Sequence, residues 1–305
     1  MQFDRTRIAV RERGLLEILD LSLHVTRHYA MPLLVTCAMG SLPLMIINQA
    51  TLGRIMESGY RDVELYAGEE GLATAMRFLW DMTLLVVLDA PLGTMFATAY
   101  LGKAVFVDRP SLSEVLLDGL RMLPRLAWCQ MLLRGVLAAW LFLWTLEPGG
   151  EFDGAVEVLL LGSLAGYAFL VRSFRPFINE IVLLERSPLR AHGSTAPAVG
   201  RRSRQLHGPS SGDLFSRSLG IALFAVLLTA SVAGSGIFLA GVFFNAWTPG
   251  PWMITCGYPL CLWLVAGYLA VVRFLSYLDL RIRHEGWEVE LRMRAEGARL
   301  TGPSP

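Results

Sequence analysis

Six apolar blocks set the limits on this chain: approximately 29–49, 78–101, 125–146, 154–173, 217–243 and 252–276. Each holds roughly 20 residues, which as a helix covers the ~30 Å hydrocarbon core of a bilayer. Inside lipid every backbone polar group must be bonded internally, so only helices or a closed barrel can cross. The ten-residue alternating segments of a barrel are absent, which leaves helices. The expected fold is therefore all-α, a polytopic membrane bundle of about six transmembrane helices. Composition agrees: charged residues make up only 17%, against about 25% in soluble domains. Lys plus Arg number 27 against 26 Asp plus Glu. That balance gives no reason to expect a polyanionic partner, and nucleic-acid binding is not expected.

Orientation follows from the arginines, since Lys103 is the single lysine. Arg5, Arg7, Arg11, Arg13 and Arg27 precede the first block, and Lys103, Arg109 and Arg121 follow the second. Arg175, Arg186, Arg190, Arg201, Arg202 and Arg204 follow the fourth, and Arg281, Arg283, Arg292, Arg294 and Arg299 follow the sixth. The alternate loops are acidic or uncharged. The positive-inside rule then places both termini in the cytoplasm of a bacterial inner-membrane protein. No cleavable signal is read, so the first block is expected to be an uncleaved signal-anchor. Cys37, Cys129, Cys256 and Cys261 all lie in apolar blocks without CxxC spacing, which implies neither a disulfide framework nor a zinc site.

Three regions divide the chain: a cytoplasmic segment 1–28, the bundle 29–276 and a charged tail 277–305. Residues 13–28 read as an amphipathic interfacial helix, with Arg13, Glu17, Asp20, His24 and Arg27 on its polar face. Residues 110–123 open with Ser111 and Glu114, the spacing of a capping box. Residues 176–186 read as another short interfacial helix, and 187–213 as a flexible basic loop. After 276 the strict polar–apolar alternation would suit a strand. No turn residue separates it from the sixth block, however, so a helical extension to about 285 with a break at Gly286 is expected.

Gly162 and Gly166 form a GxxxG pattern, and Gly234 and Gly241 lie among small residues in the fifth block; both patterns suit close helix packing. Pro32, Pro43, Pro91 and Pro259 should kink their helices. Charges at membrane depth are the main candidates for chemistry. Asp89 and Arg134, with Gln130 one turn before Arg134, are expected to form an intramembrane polar pair. Arg77 with Asp81, and Glu157, belong near the outer interface. A second cluster, Glu17, Asp20, Asp279, Arg281, Arg283 and Glu285, is expected to dock the first helix on the tail. There is no P-loop, dinucleotide fingerprint, HExxH or nucleophile elbow. No cofactor and no metal are expected.

Leu16-Glu17-Ile18-Leu19-Asp20, with Arg27, resembles the opening of a broad bacterial multispan family. That family is related to the membrane domain that precedes the catalytic domain of some glycerophosphodiester phosphodiesterases. Tyr277 to Glu288 is similar to its ending, and Arg175-Pro176-Phe177 with Glu180-Ile181 to Leu189 is similar to its segment after the fourth span. The resemblance implies a six-span bundle with a membrane-surface helix and no assigned reaction; no phosphodiesterase domain is present to carry that activity. The leading expectation is a non-enzymatic membrane scaffold whose partners are the bilayer and other membrane proteins or a second copy. One alternative is a permease-like protein moving a small solute or ion past Asp89 and Arg134. The other is an intramembrane lipid-modifying enzyme, which would need a polar cavity with convergent titratable groups.

Overall fold

A computed structural model describes residues 13–55, 69–105, 107, 110–132, 134–145, 154–189 and 197–285. Among them the fold is all-helical. The elements are α1 (Leu15–His28), α2 (Ala30–Ile55), α3 (Glu69–Gly93), α4 (Met95–Ala104), α5 (Leu112–Ala127) and α6 (Val136–Thr145). They continue with α7 (Gly154–Phe174), α8 (Ile178–Leu183), α9 (Val199–His207), α10 (Ser211–Phe244) and α11 (Tyr258–Glu285). Five helical segments are long and apolar enough to cross a membrane, and six if the bent pair α5–α6 is one span.

The segments alternate between two ends. Arg13, Asp279, Arg217 and Arg283 meet at one, the basic end. Arg77 and Glu157 meet at the other, where Thr83 also bonds Tyr258 across 2.8 Å. The α3–α4 segment runs through the middle, with 89% of its apolar window buried. Phe78, Met82, Leu85 and Leu88 are fully covered there, as expected of a helix that is apolar on every side. The equivalent window of α10 is not buried at all, so α10 is the outermost helix. Gly40 and Gly93 let α2 press on the α3–α4 joint; a Cβ on Gly40 would collide with the Gly93 backbone. All four cysteines are free thiols.

Four local expectations need correction. The block 125–146 is not one straight helix. From Leu112 the chain runs through α5 and a π-helical turn (Trp128–Leu132), then bends by 71° into α6. Gly135, at φ +80, makes that bend, in a backbone conformation few other residues adopt. Ser111 does start α5, but its hydroxyl bonds Ser113 rather than closing a capping box, and Glu114 faces Lys103. The 176–186 helix does not lie on the outside of the bundle: α8 buries Asn179, Glu180, Ile181, Val182 and Leu183. The stretch 187–213 contains α9, with Val199, Ser203, Leu206 and His207 buried, so it is not simply a loop; 190–196 lie outside the described residues. The extension of α11 to Glu285 is as expected, and 286–305 lie outside the description.

The small-residue patterns do less inside the chain than expected. A Cβ on Gly162 would meet only Trp80, at 3.8 Å, and one on Gly166 or Gly234 would meet nothing within 4 Å. Gly241 is the exception, lying against the Trp247 ring.

Candidate functional site

The site begins at Pro91. Proline has no N–H, so the Val87 carbonyl one turn earlier loses its helical donor. Arg172 of α7 replaces it, donating to the Val87 and Leu88 carbonyls. Asn179 of α8 donates to the Pro91 carbonyl at 2.6 Å and accepts from Gln130 Nε2 at 2.6 Å. The kinked α3, the end of α7 and α8 are thus tied together by side chains on backbone carbonyls, and the Gln130–Asn179 side-chain bond adds the π-helical turn after α5.

Asp89 and Arg134 are both buried, as expected, but they do not pair. Asp89 Oδ2 accepts from Asn48 Nδ2 at 2.9 Å, and Asn48 Oδ1 accepts from the Trp140 indole at 3.2 Å. Arg134 donates to the Arg175 carbonyl at 2.9 Å. The cause is the bend at Gly135: depth counted along a straight span put Arg134 opposite Asp89, whereas the break aims it at the α7–α8 corner. Gln130 lies beside Arg134's end of the network, on Asn179.

These groups close one end of a cavity of about 650 Å³ between α3, α7, α10 and α11. Its walls are apolar and small-featured, with Val86, Ala222, Ala225, Val265 and Ala266 among them. Its polar end presents Arg134, Arg172, Arg273, Gln130 and Asn179, with Arg217 and Arg283 at the rim. Arg273 holds Glu180 at 2.7 Å and reaches the Thr98 hydroxyl at 3.2 Å. Arg217 holds Asp213 at 2.9 Å and Asp279 at 3.2 Å, and Arg283 holds Asp279 at 3.1 Å. Among the described residues, Arg134 and Arg172 bond only to backbone carbonyls.

Next to the cavity rim, α1 meets α11 through Asp279 and Arg283 of the expected cluster, with Arg13 as their partner on the first segment. The Arg13 N–H donates to Asp279 Oδ1 at 2.8 Å, and Arg283 donates to the Arg13 carbonyl at 2.8 Å. Tyr268 donates to the Leu19 carbonyl at 2.9 Å, with Ile18 buried beneath it. Glu17 and Asp20 lie on the exposed face of α1, Asp20 beside His24 at 3.7 Å. Arg281 turns to Glu185, which Arg202 and Tyr277 also hold. Glu285 ends α11, and its side chain lies outside the description. At the opposite end Arg77 contacts Asp81, the pairing its spacing suggested, and also Glu157, which the sequence had left apart from them.

The sequence reading missed Asn48, Arg172, Asn179, Glu180 and Arg273. Arg172 and Arg273 lie in the last turns of apolar blocks, where arginines ordinarily snorkel to the interface. The signal for Arg172 was Pro91 two blocks away, whose freed carbonyl needs a donor. Among the described residues no group of three or more His, Cys, Asp or Glu could hold a metal ion. Comparison with protein families, curated proteins and solved structures finds no match for this chain.

Proposed function

We propose that this chain is a non-enzymatic multi-pass membrane protein that binds an amphiphile in its intramembrane cavity, as a carrier or permease-like protein does. The observation that carries this reading is the cavity itself, with apolar walls through most of its length and a cluster of arginines at one end. A ligand with an apolar body and an anionic end satisfies both parts at once. In this proposal the basic end faces the cytoplasm of a bacterial inner membrane, following the positive-inside rule. The earlier scaffold reading draws support from α10, whose Leu223, Val226, Leu227 and Phe243 are exposed. Lipid tails satisfy that surface equally well, so it does not favour a protein partner.

Ala225→Phe tests the reading by filling the cavity from α10, a helix whose apolar window is otherwise uncovered. The full chain is purified from native membranes in mild detergent, and native mass spectrometry counts the lipid-sized ligands retained. The variant is expected to keep the wild-type elution profile and lose the bound amphiphile. Equal retention in both proteins would overturn the proposal.

A further inference from the structure

The polar end of the cavity carries more positive charge than its own carboxylates balance. Arg217 and Arg283 share Asp279, and Arg273 holds Glu180. Among the described residues Arg134 and Arg172 contact no carboxylate, and Arg134 is only 2% exposed. A guanidinium has five N–H donors. The few carbonyl bonds made here leave several unused, and Arg172 Nε is buried without a partner. The two groups stand close enough to repel each other, and both repel Arg273. Asp89 attracts Arg172 and Glu180 attracts Arg134, neither touching its arginine, and both carboxylates lie outside the cavity lining, Glu180 being bonded to Arg273. A buried guanidinium such as that of Arg134, left like this, is costly unless an anion joins it, and half-buried Arg172 faces the same cavity.

We infer that Arg134 and Arg172 form a clamp for a phosphate group, carried on a lipid head or free in solution. This rests on the reading that the cavity receives an amphiphile. A carboxylate would balance one of the two charges. A phosphate offers three outer oxygens and up to two charges, and the planar guanidinium fork matches its oxygen spacing. Gln130 supplies a further element: its Oε1 is buried without a partner and lines the cavity. It would accept an O–H from a monoprotonated phosphate or from a head-group hydroxyl. The small side chains of α10 along the wall, Ala222 and Ala225 among them, leave room for acyl chains above the clamp.

The test uses the full chain, stripped of lipid in a neutral maltoside detergent, and three probes. These are dioleoyl phosphatidic acid, dioleoylglycerol and inorganic phosphate, with binding read by thermal unfolding and native mass spectrometry. Phosphatidic acid is expected to bind at least about tenfold tighter than the diacylglycerol, since charge-assisted bonds separate the two. Arg134→Gln should erase that preference, and Arg134→Lys should keep part of it, as a point charge without the fork. If Arg134→Gln fails to fold, the wild-type ratio and the lysine variant still decide. Equal binding of the two lipids would overturn the clamp and leave the amphiphile reading standing. Tight inorganic phosphate with no lipid preference over it, and no binding of the diacylglycerol, would keep the clamp and overturn the amphiphile. Failure of all three probes would overturn both.

Discussion

At the scale of single residues, buried Asp89, Arg134 and Gln130 are satisfied by amides and carbonyls, whereas Glu180, Glu157 and Asp279 are held by arginines. Asp89 depends on Asn48, and Asn48 also receives the Trp140 indole. Asn48→Leu would leave Asp89 and the indole without those partners, and the loss should be about 3 kcal/mol. Replacing Asn48 and Asp89 together by leucine should recover most of it, because a buried polar pair is often no better than an apolar one. A double-mutant cycle on unfolding in detergent would give a coupling of about 1 kcal/mol or more for Asn48 and Asp89. The same cycle on Asp89 and Arg134 should give about 0.5 kcal/mol or less, since they share no contact. The opposite ranking would restore the ion pair that linear depth counting suggests. Asp89 and Arg134 were legible because few charges fall inside the apolar blocks, whereas Arg172 and Arg273 were passed over in the last turns of theirs. The partners of Asp89 and Arg134 were not legible, because an amide or a freed carbonyl leaves no mark in hydropathy.

At the scale of elements, the apolar blocks found the long helices, since the 20-residue length rule depends only on composition and chain geometry. It failed where backbone conformation intervened. Gly135 reads as an ordinary small residue within an apolar run, yet its left-handed conformation turns the third block by 71°. The α8 helix was read as a surface element and α9 as part of a loop for a related reason: local composition does not show that tertiary packing buries them. The joint between α1 and α11 shows the same limit. Sequence paired the two elements and grouped Asp279 with them, but assigned the contact to exposed Glu17 and Asp20. Asp279, 3% exposed, instead holds the Arg13 N–H, Arg217 and Arg283 together. Asp279→Asn should therefore cost about 2–3 kcal/mol, since it leaves nearby guanidinium groups short of an anion. It should also speed proteolysis before residue 30. Asp20→Asn, on the exposed face, serves as the control and should change neither. Matching behaviour of the two variants would show that α1 is held by its apolar face alone.

At the scale of the whole molecule, the number of crossings follows from contacts rather than from hydropathy. Residue 13 bonds residue 279, so the first and last described segments meet at the same end of the bundle. A chain whose ends meet on one side crosses an even number of times. If each of the five long segments crosses, they alone would put the ends on opposite sides, and the bent pair α5–α6 would supply the sixth crossing. The two halves fit that role. Glu114, at the start of α5, sits by Lys103, where α4 finishes, and Trp140 of α6 reaches Asn48, deep in α2. The break then leaves Gln130 and Arg134 inside the bundle rather than at its surface, as broken helices do where a membrane protein binds a polar group. Single cysteines in a background lacking the four native thiols would test this, with a membrane-impermeant maleimide as the probe. Thr248→Cys, in the turn between α10 and α11, should label in intact cells. Ser210→Cys, before α10 at the basic end, should label only after permeabilisation, as should a cysteine at Arg186, after α8. The reverse pattern would keep six crossings and invert the positive-inside assignment. Labelling of Thr248→Cys and Ser210→Cys from the same side would mean that α10 does not cross. The cavity that α10 walls would then face water rather than lipid, and no amphiphile could enter it from the bilayer.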